Sequence, residues 1–285
     1  MGHHYVPRDY LRAFCSPSAP GSVWLYAKGR ATPALAPVKT AAQSKNYYSA
    51  EEEKLLADDI EGPANVVLPR LRAGLAITPT EREAVVRYLG AMMKRVPYRR
   101  RKSLAQIPEV IQSVTEEYKQ QARELGKQPG AEALAQSFID KVEDLRIRYL
   151  AQPPPDLVSQ ALAPGVSERV LDLIRRMGWR LIEARGPRFF MTTDNPMFFF
   201  EGYGLGSPQS EFVFPLSPLR AIHGSWLPPS EGKELVIVNE DAVNEINHRI
   251  ATTTERLAFY PESVSWIFPL LARTDQTALS RISWE

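Results

Sequence analysis

A single cysteine, Cys15, is the only thiol in this chain of 285 residues. That excludes an internal disulfide and any cysteine-based zinc cluster, and suits a reducing compartment. No apolar run approaches the ~20 residues that cross a bilayer as a helix, so no membrane association is expected. The opening residues carry no apolar stretch behind basic ones, so a secretory leader is not expected and a cytoplasmic place is. Charge of one sign is also missing. Lys and Arg number 35 against 33 Asp and Glu, a formal charge of +2, so composition gives no argument for a nucleic-acid or membrane partner. Familiar signatures are absent too: no Walker-type phosphate loop, no Gly-x-Gly-x-x-Gly opening a helix, no His-Glu-x-x-His and no Gly-x-Ser-x-Gly. Gly202-Tyr203-Gly204-Leu205-Gly206 does not replace them, because the sequence after it reads as strand rather than helix.

What is present suits a folded protein, with 44% hydrophobic and 24% charged residues. Twenty-four prolines punctuate it, several at joints such as Pro7, Pro153 to Pro155, Pro228 and Pro229. Strand-like segments lie early, at Val23 to Tyr26 and Ala34 to Val38, and again late. The late ones are Trp179 to Glu183, Arg188 to Met191, Glu211 to Phe214, Arg220 to Trp226, Glu234 to Val238 and Leu257 to Tyr260. Between them the apolar residues recur at helical spacing. Residues 50 to 73 predict two helices split at Gly62-Pro63. A capping box at Thr80 to Glu83 predicts a helix ending before Pro97. Helices follow at about 103 to 125, 131 to 150, 167 to 177 and 240 to 254. The distribution predicts an α+β fold: a mostly antiparallel sheet built from early and late strands, with a helical middle section. One domain over 1–285 is expected, with a helical insertion at about 80–150.

Two polar clusters stand out. His3-His4-Tyr5-Val6-Pro7 opens the chain and is anchored by Tyr10, Leu11 and Phe14. Thr192-Thr193-Asp194-Asn195-Pro196 follows an apolar run, which would deliver a carboxylate and an amide to a strand end. A turn in which Asp194 or Asn195 bonds its own backbone is the structural alternative. Of the two histidines, His4 is the stronger candidate. Arg95, near a helix end, and Glu61, at the Gly62-Pro63 joint, could join the clusters, although helix dipoles favour such charges without a ligand. Tyr98-Arg99-Arg100-Arg101-Lys102 could contact phosphate, or be a solvated face. Asn247 is expected to be a structural hydrogen bonder, His248 to lie at the surface and His223 to sit in a strand without a catalytic role.

The chain resembles the domain of unknown function 4238 family. The likeness rests on His4-Tyr5-Val6-Pro7, Tyr10-Leu11, Phe14, Val23 to Tyr26, Asn46-Tyr47-Tyr48, Glu61, Arg95-Val96-Pro97, Thr193 to Pro196, Phe214 to Pro218 and Asn247. It departs at Asp9, where an aromatic residue is typical, and packing rather than a site is expected to feel that change. The resemblance implies that His4, Arg95, Asp194 and Asn195 belong to what the family keeps; it implies no activity.

Three functions follow as expectations. The first is a hydrolase of phosphodiester or nucleotide bonds, dependent on a divalent metal ion. In it His4, Arg95, Asp194 and Asn195 are catalytic, and His4, Asp194 and Glu61 hold the metal. Its substrate would be a small molecule or a nucleic acid. The second is a non-catalytic binding or interaction protein whose His, Arg and Asp motifs form a structural polar network. The third, nucleic-acid binding through Arg99, Arg100 and Arg101, ranks last because the chain is nearly neutral.

Overall fold

The computed structural model describes residues 2–227 and 235–273; Pro228, Pro229 and Glu234, read above as joints and a strand start, lie outside them. The described chain forms two compact units. One is built from the residues up to Tyr98 and from Pro164 onward, the other from Arg99 to Ala163.

The first unit opens with β1 (Gly2–His4) and α1 (Arg8–Leu11), which tightens into a 3-10 turn at Arg12–Phe14. Three strands follow: β2 (Ser22–Ala27), β3 (Ala34–Pro37) and β4 (Gln43–Lys45). Next come α2 (Ala50–Leu55), a π-helical stretch at Leu56–Glu61, α3 (Gly62–Arg72) and α4 (Pro79–Lys94). The second unit carries most of α5 (Pro97–Leu125), then α6 (Glu132–Ala151) and α7 (Pro155–Leu162). The chain returns to the first unit through α8 (Glu168–Arg176), β5 (Gly178–Ala184), β6 (Thr192–Thr193), β7 (Phe198–Phe199), β8 (Glu211–Pro215) and β9 (Arg220–Ser225). It continues with β10 (Leu235–Val238), α9 (Glu240–Thr253), β11 (Leu257–Tyr260) and α10 (Ile267–Leu271).

The α+β class is as expected, with three sheets rather than one. β1 pairs antiparallel with β4, aligning His3 with Ser44. A four-stranded antiparallel sheet, in the order β3-β2-β11-β6, joins early strands to late ones. A five-stranded sheet runs β10-β5-β9-β8-β7, antiparallel except for the parallel β10–β5 pair. α9 lays Val243, Ile246 and Ile250 into a core with Ile182, Phe198 and Val213. A second core gathers Tyr10, Phe14, Leu68, Tyr88 and Phe214.

Three local expectations are corrected. The cap of α4 is Thr78, whose hydroxyl accepts from Glu81 N while the Glu81 carboxylate accepts from Thr78 N. Pro79 then opens the helix, where a missing N–H costs nothing. Second, Gly62-Pro63 does not split residues 50 to 73. The chain stays helical by widening into the π turn, which absorbs Pro63. The wider turn shifts the apolar stripe, so Leu55 is exposed while Leu56 is buried. Third, Arg188 to Met191 is not a strand. Its backbone is met by a side chain: Met191 N donates to Asn247 Oδ1 at 2.9 Å and Asn247 Nδ2 donates to Phe189 O at 2.9 Å. Asn247 is therefore the structural hydrogen bonder expected of it. By packing, the helical unit runs 99–163, with α4 in the first unit.

Candidate functional site

β1 pairs with β4, which is flanked by Ala42 and Asn46 at positive φ, 50° and 52°. This pairing fixes both histidines. His3 Nδ1 accepts N–H bonds from Tyr47 at 3.1 Å and Tyr48 at 3.0 Å. A nitrogen that accepts carries no proton, so the ring is neutral and Nε2–H faces Glu53 at 3.3 Å. His3, the weaker candidate in the sequence, is the buried one. His4 is half-buried, and its Nε2 lies 3.1 Å from the Lys39 carbonyl. A carbonyl only accepts, so Nε2 holds a proton, and in the neutral ring the lone pair is on Nδ1.

Arg95 caps the C-terminal end of α4 and is 3% exposed. Its guanidinium donates to Glu61 Oε1 at 2.5 Å and to the His4 carbonyl at 2.7 Å. Its own carbonyl accepts from Tyr48 Oη at 3.1 Å. Arg95 Nε is buried with no acceptor. Glu61 reaches it from the last turn of the π stretch. These side chains line a cleft of about 200 Å³ that also takes in Arg8, Asp9 and Glu53. Asp9, the departure from the family pattern, therefore stands on the cleft wall, paired with Arg12.

Asp194 and Asn195 are elsewhere. Asp194 is 1% exposed, and its carboxylate accepts from the backbone N–H of Glu255, Arg256 and Leu257 at 2.7–2.9 Å. Burial pushes its carboxyl up to about 6, against those three donors. Asn195 Nδ2 donates to Thr253 O, and Asn195 O accepts from the Thr253 hydroxyl. Together they cap the end of α9 and hold the turn into β11. The turn expected from local bonding is thus a long-range brace across some 60 residues. Burial raises the Tyr5 phenol, and the Asp194 charge raises it further.

The structure thus brings His4, Glu61 and Arg95 together and leaves Asp194 and Asn195 out. The metal set of His4, Asp194 and Glu61 is not assembled. Among the described residues no group of three or more His, Cys, Asp or Glu side chains is placed to hold a metal ion. Arg99 and Arg100 are half-buried and Arg101 is exposed at the start of α5, and each engages other groups of the protein.

Sequence reasoning passed over a buried charged cluster. Glu211 on β8, fully buried, accepts from Arg249 Nε of α9 at 2.9 Å and lies 3.1 Å from His223 Nε2 of β9. Burial opposes ionisation of Glu211, but His223 and Arg249 hold its carboxyl below the ordinary range. A charged residue on each otherwise apolar face, Glu211 before Phe-Val-Phe and Arg249 before Ile250, was the signal available. His248 is half-buried in a surface hollow with Arg188 and Arg273.

Among the described residues no helix is long and apolar enough to cross a membrane. No curated protein and no solved structure matches the chain. A family profile described as "Protein of unknown function (DUF4238)" matches residues 2–263, and the chain belongs to that family.

Proposed function

We propose that the protein hydrolyses a phosphodiester or nucleotide bond in the His4 cleft, with Asp194 and Asn195 as structural braces outside the chemistry. The observation that carries this reading is the His4 ring. The Lys39 carbonyl fixes its tautomer, and Arg95 lies in the same cleft. A neutral imidazole with an oriented lone pair is a general base. In the proposed step His4 Nδ1 takes a proton from water as the water oxygen bonds phosphorus. The P–O bond to the leaving group breaks, and that oxygen is protonated by solvent. Glu61 holds Arg95 in place as a positioning residue, and Arg95 Nε–H faces a phosphoryl oxygen. No step is routed through a metal, and Arg99 to Arg101 take no part.

The test is His4→Ala, assayed on bis(4-nitrophenyl) phosphate beside its melting temperature. Turnover should fall about 100-fold, the lower end of what a general base supplies, with the fold intact. Unchanged turnover overturns the proposal.

One observation favours the second reading, a non-catalytic binding or interaction protein. Arg95 spends two bonds on Glu61 and the His4 carbonyl, which pins the N-terminal strand to α4. Under that reading wild-type protein turns over no phosphodiester, and Arg95→Ala changes only stability.

A further inference from the structure

The charges around the His4 cleft fall mostly into internal pairs. Glu61 is matched by Arg95, and Asp9 by Arg12. His3 accepts two backbone N–H bonds at Nδ1, so its contact with Glu53 is a hydrogen bond rather than an ion pair. Arg8, an exposed residue of the cleft lining, is paired with no carboxylate among the described residues. What remains for a ligand is one cation, Arg8, one anion, Glu53, and one buried donor, Arg95 Nε. That N–H is an unmet hydrogen bond in a 3% exposed side chain, a group that is costly to leave unpaired. A ligand oxygen would relieve it.

Resting on the hydrolase reading of this same cleft, we infer that its substrate is a compact phosphodiester bearing one negative charge, and that polyphosphates are rejected. One phosphoryl oxygen meets Arg95 Nε and the other faces Arg8, the one cation left for a ligand. A triphosphate carries three or four charges, and the surplus falls against Glu53, Glu61 and Asp9, which line the same space. Like charges brought together in this way discriminate between ligands by repulsion. Size acts in the same direction. About 200 Å³ is below the ~300–1,000 Å³ of sites for drug-sized ligands, so the cleft suits a group of nucleoside-monophosphate size or smaller. The π turn supplies one wall through Leu56, Ala57 and Glu61, and such wide turns recur at functional sites.

The experiment is calorimetric titration of the full chain with cyclic AMP and with ATP in EDTA, with hydrolysis followed on the same samples. Cyclic AMP should bind at least tenfold tighter than ATP. Arg8→Gln, at an exposed position, should weaken cyclic AMP about tenfold with no change in melting temperature. Glu53→Gln should narrow the gap by improving ATP more than cyclic AMP. Equal or tighter binding of ATP by the wild type overturns the inference, whatever is hydrolysed. So does binding of neither nucleotide; turnover of bis(4-nitrophenyl) phosphate would then keep the hydrolase reading alone. Cyclic AMP bound in the expected order but never cleaved upholds the ligand class and removes the reaction.

Discussion

At the scale of single residues, Asp194 shows how a motif can be prominent for reasons other than chemistry. Three backbone donors converge on one buried carboxylate, and deleting it strands all three at a buried turn. Asp194→Ala should therefore lower unfolding free energy by about 3 kcal/mol in urea titrations. The pH dependence has a definite sign. Burial raises this carboxyl from 3.8 to about 6, so between those values the native state keeps a proton that the unfolded chain has released. The stability contributed by Asp194 is complete below about pH 4, falls as pH rises to about 6 and is level above. Asp194→Asn has no such titration. Its deficit against wild type should be largest near pH 4 and shrink toward pH 7. A deficit that grows with pH would show that the three N–H donors outweigh burial. None of this was legible from the sequence, because the partners lie 61 to 63 positions away. The burial of the histidine pair was hidden in a similar way. Nothing in His3-His4 marks which ring meets the Tyr47 and Tyr48 amides; that depends on the β1–β4 register.

At the scale of elements, reading succeeded where periodicity and burial agree. α9 emerged from Val243, Ile246 and Ile250, and β8 from its apolar run, within a residue or so of the observed ends. It failed where a side chain replaced backbone pairing. Phe189-Phe190-Met191 is apolar because it is enclosed, yet Asn247 satisfies its amides, so the run is buried without being a strand. It failed again at the π turn, since no simple spacing rule marks an i→i+5 widening before Pro63. The β8–β9 pair supplies a test of packing in the five-stranded sheet. Phe212 lies over Gly224, where an added Cβ would stand 1.9 Å from the ring. Gly224→Ala should cost about 3 kcal/mol through overpacking. Phe212→Leu in the same chain should recover part of that, because the two changes share one contact. Additive losses in the double variant would mean that the ring is not what excludes the methyl.

At the scale of the whole molecule, the order of motifs in the sequence reflects assembly more than a single active site. Tyr10 Oη donates to the Pro215 carbonyl at 2.7 Å, and Thr192 Oγ1 lies 2.7 Å from Tyr10 Oη. The N-terminal, Thr192 to Pro196 and Phe214 to Pro218 motifs thus meet in one buried knot. His4, Glu61 and Arg95 line a cleft. The α+β class was legible because strands and helices segregate along the chain. The site was legible only by half, since solvent access is set by packing and not by residue type. Near-neutral net charge and the placement of the cleft within the first unit give one further expectation. Replacing Arg99, Arg100 and Arg101 with Gln should leave phosphodiester turnover within about twofold and its salt dependence shallow. A large loss would move the phosphate contact to α5.

The claim that the reaction centre is the His4 cleft and not the Asp194 brace is tested most directly by one comparison. His4→Gln and Asp194→Asn would be assayed for kcat/KM on bis(4-nitrophenyl) phosphate, each corrected for the fraction folded at the assay temperature. The predicted result is a loss of about 100-fold in the first and turnover within about threefold of wild type, per folded molecule, in the second. Loss confined to Asp194→Asn, with His4→Gln fully active, would contradict it and return the chemistry to the carboxylate.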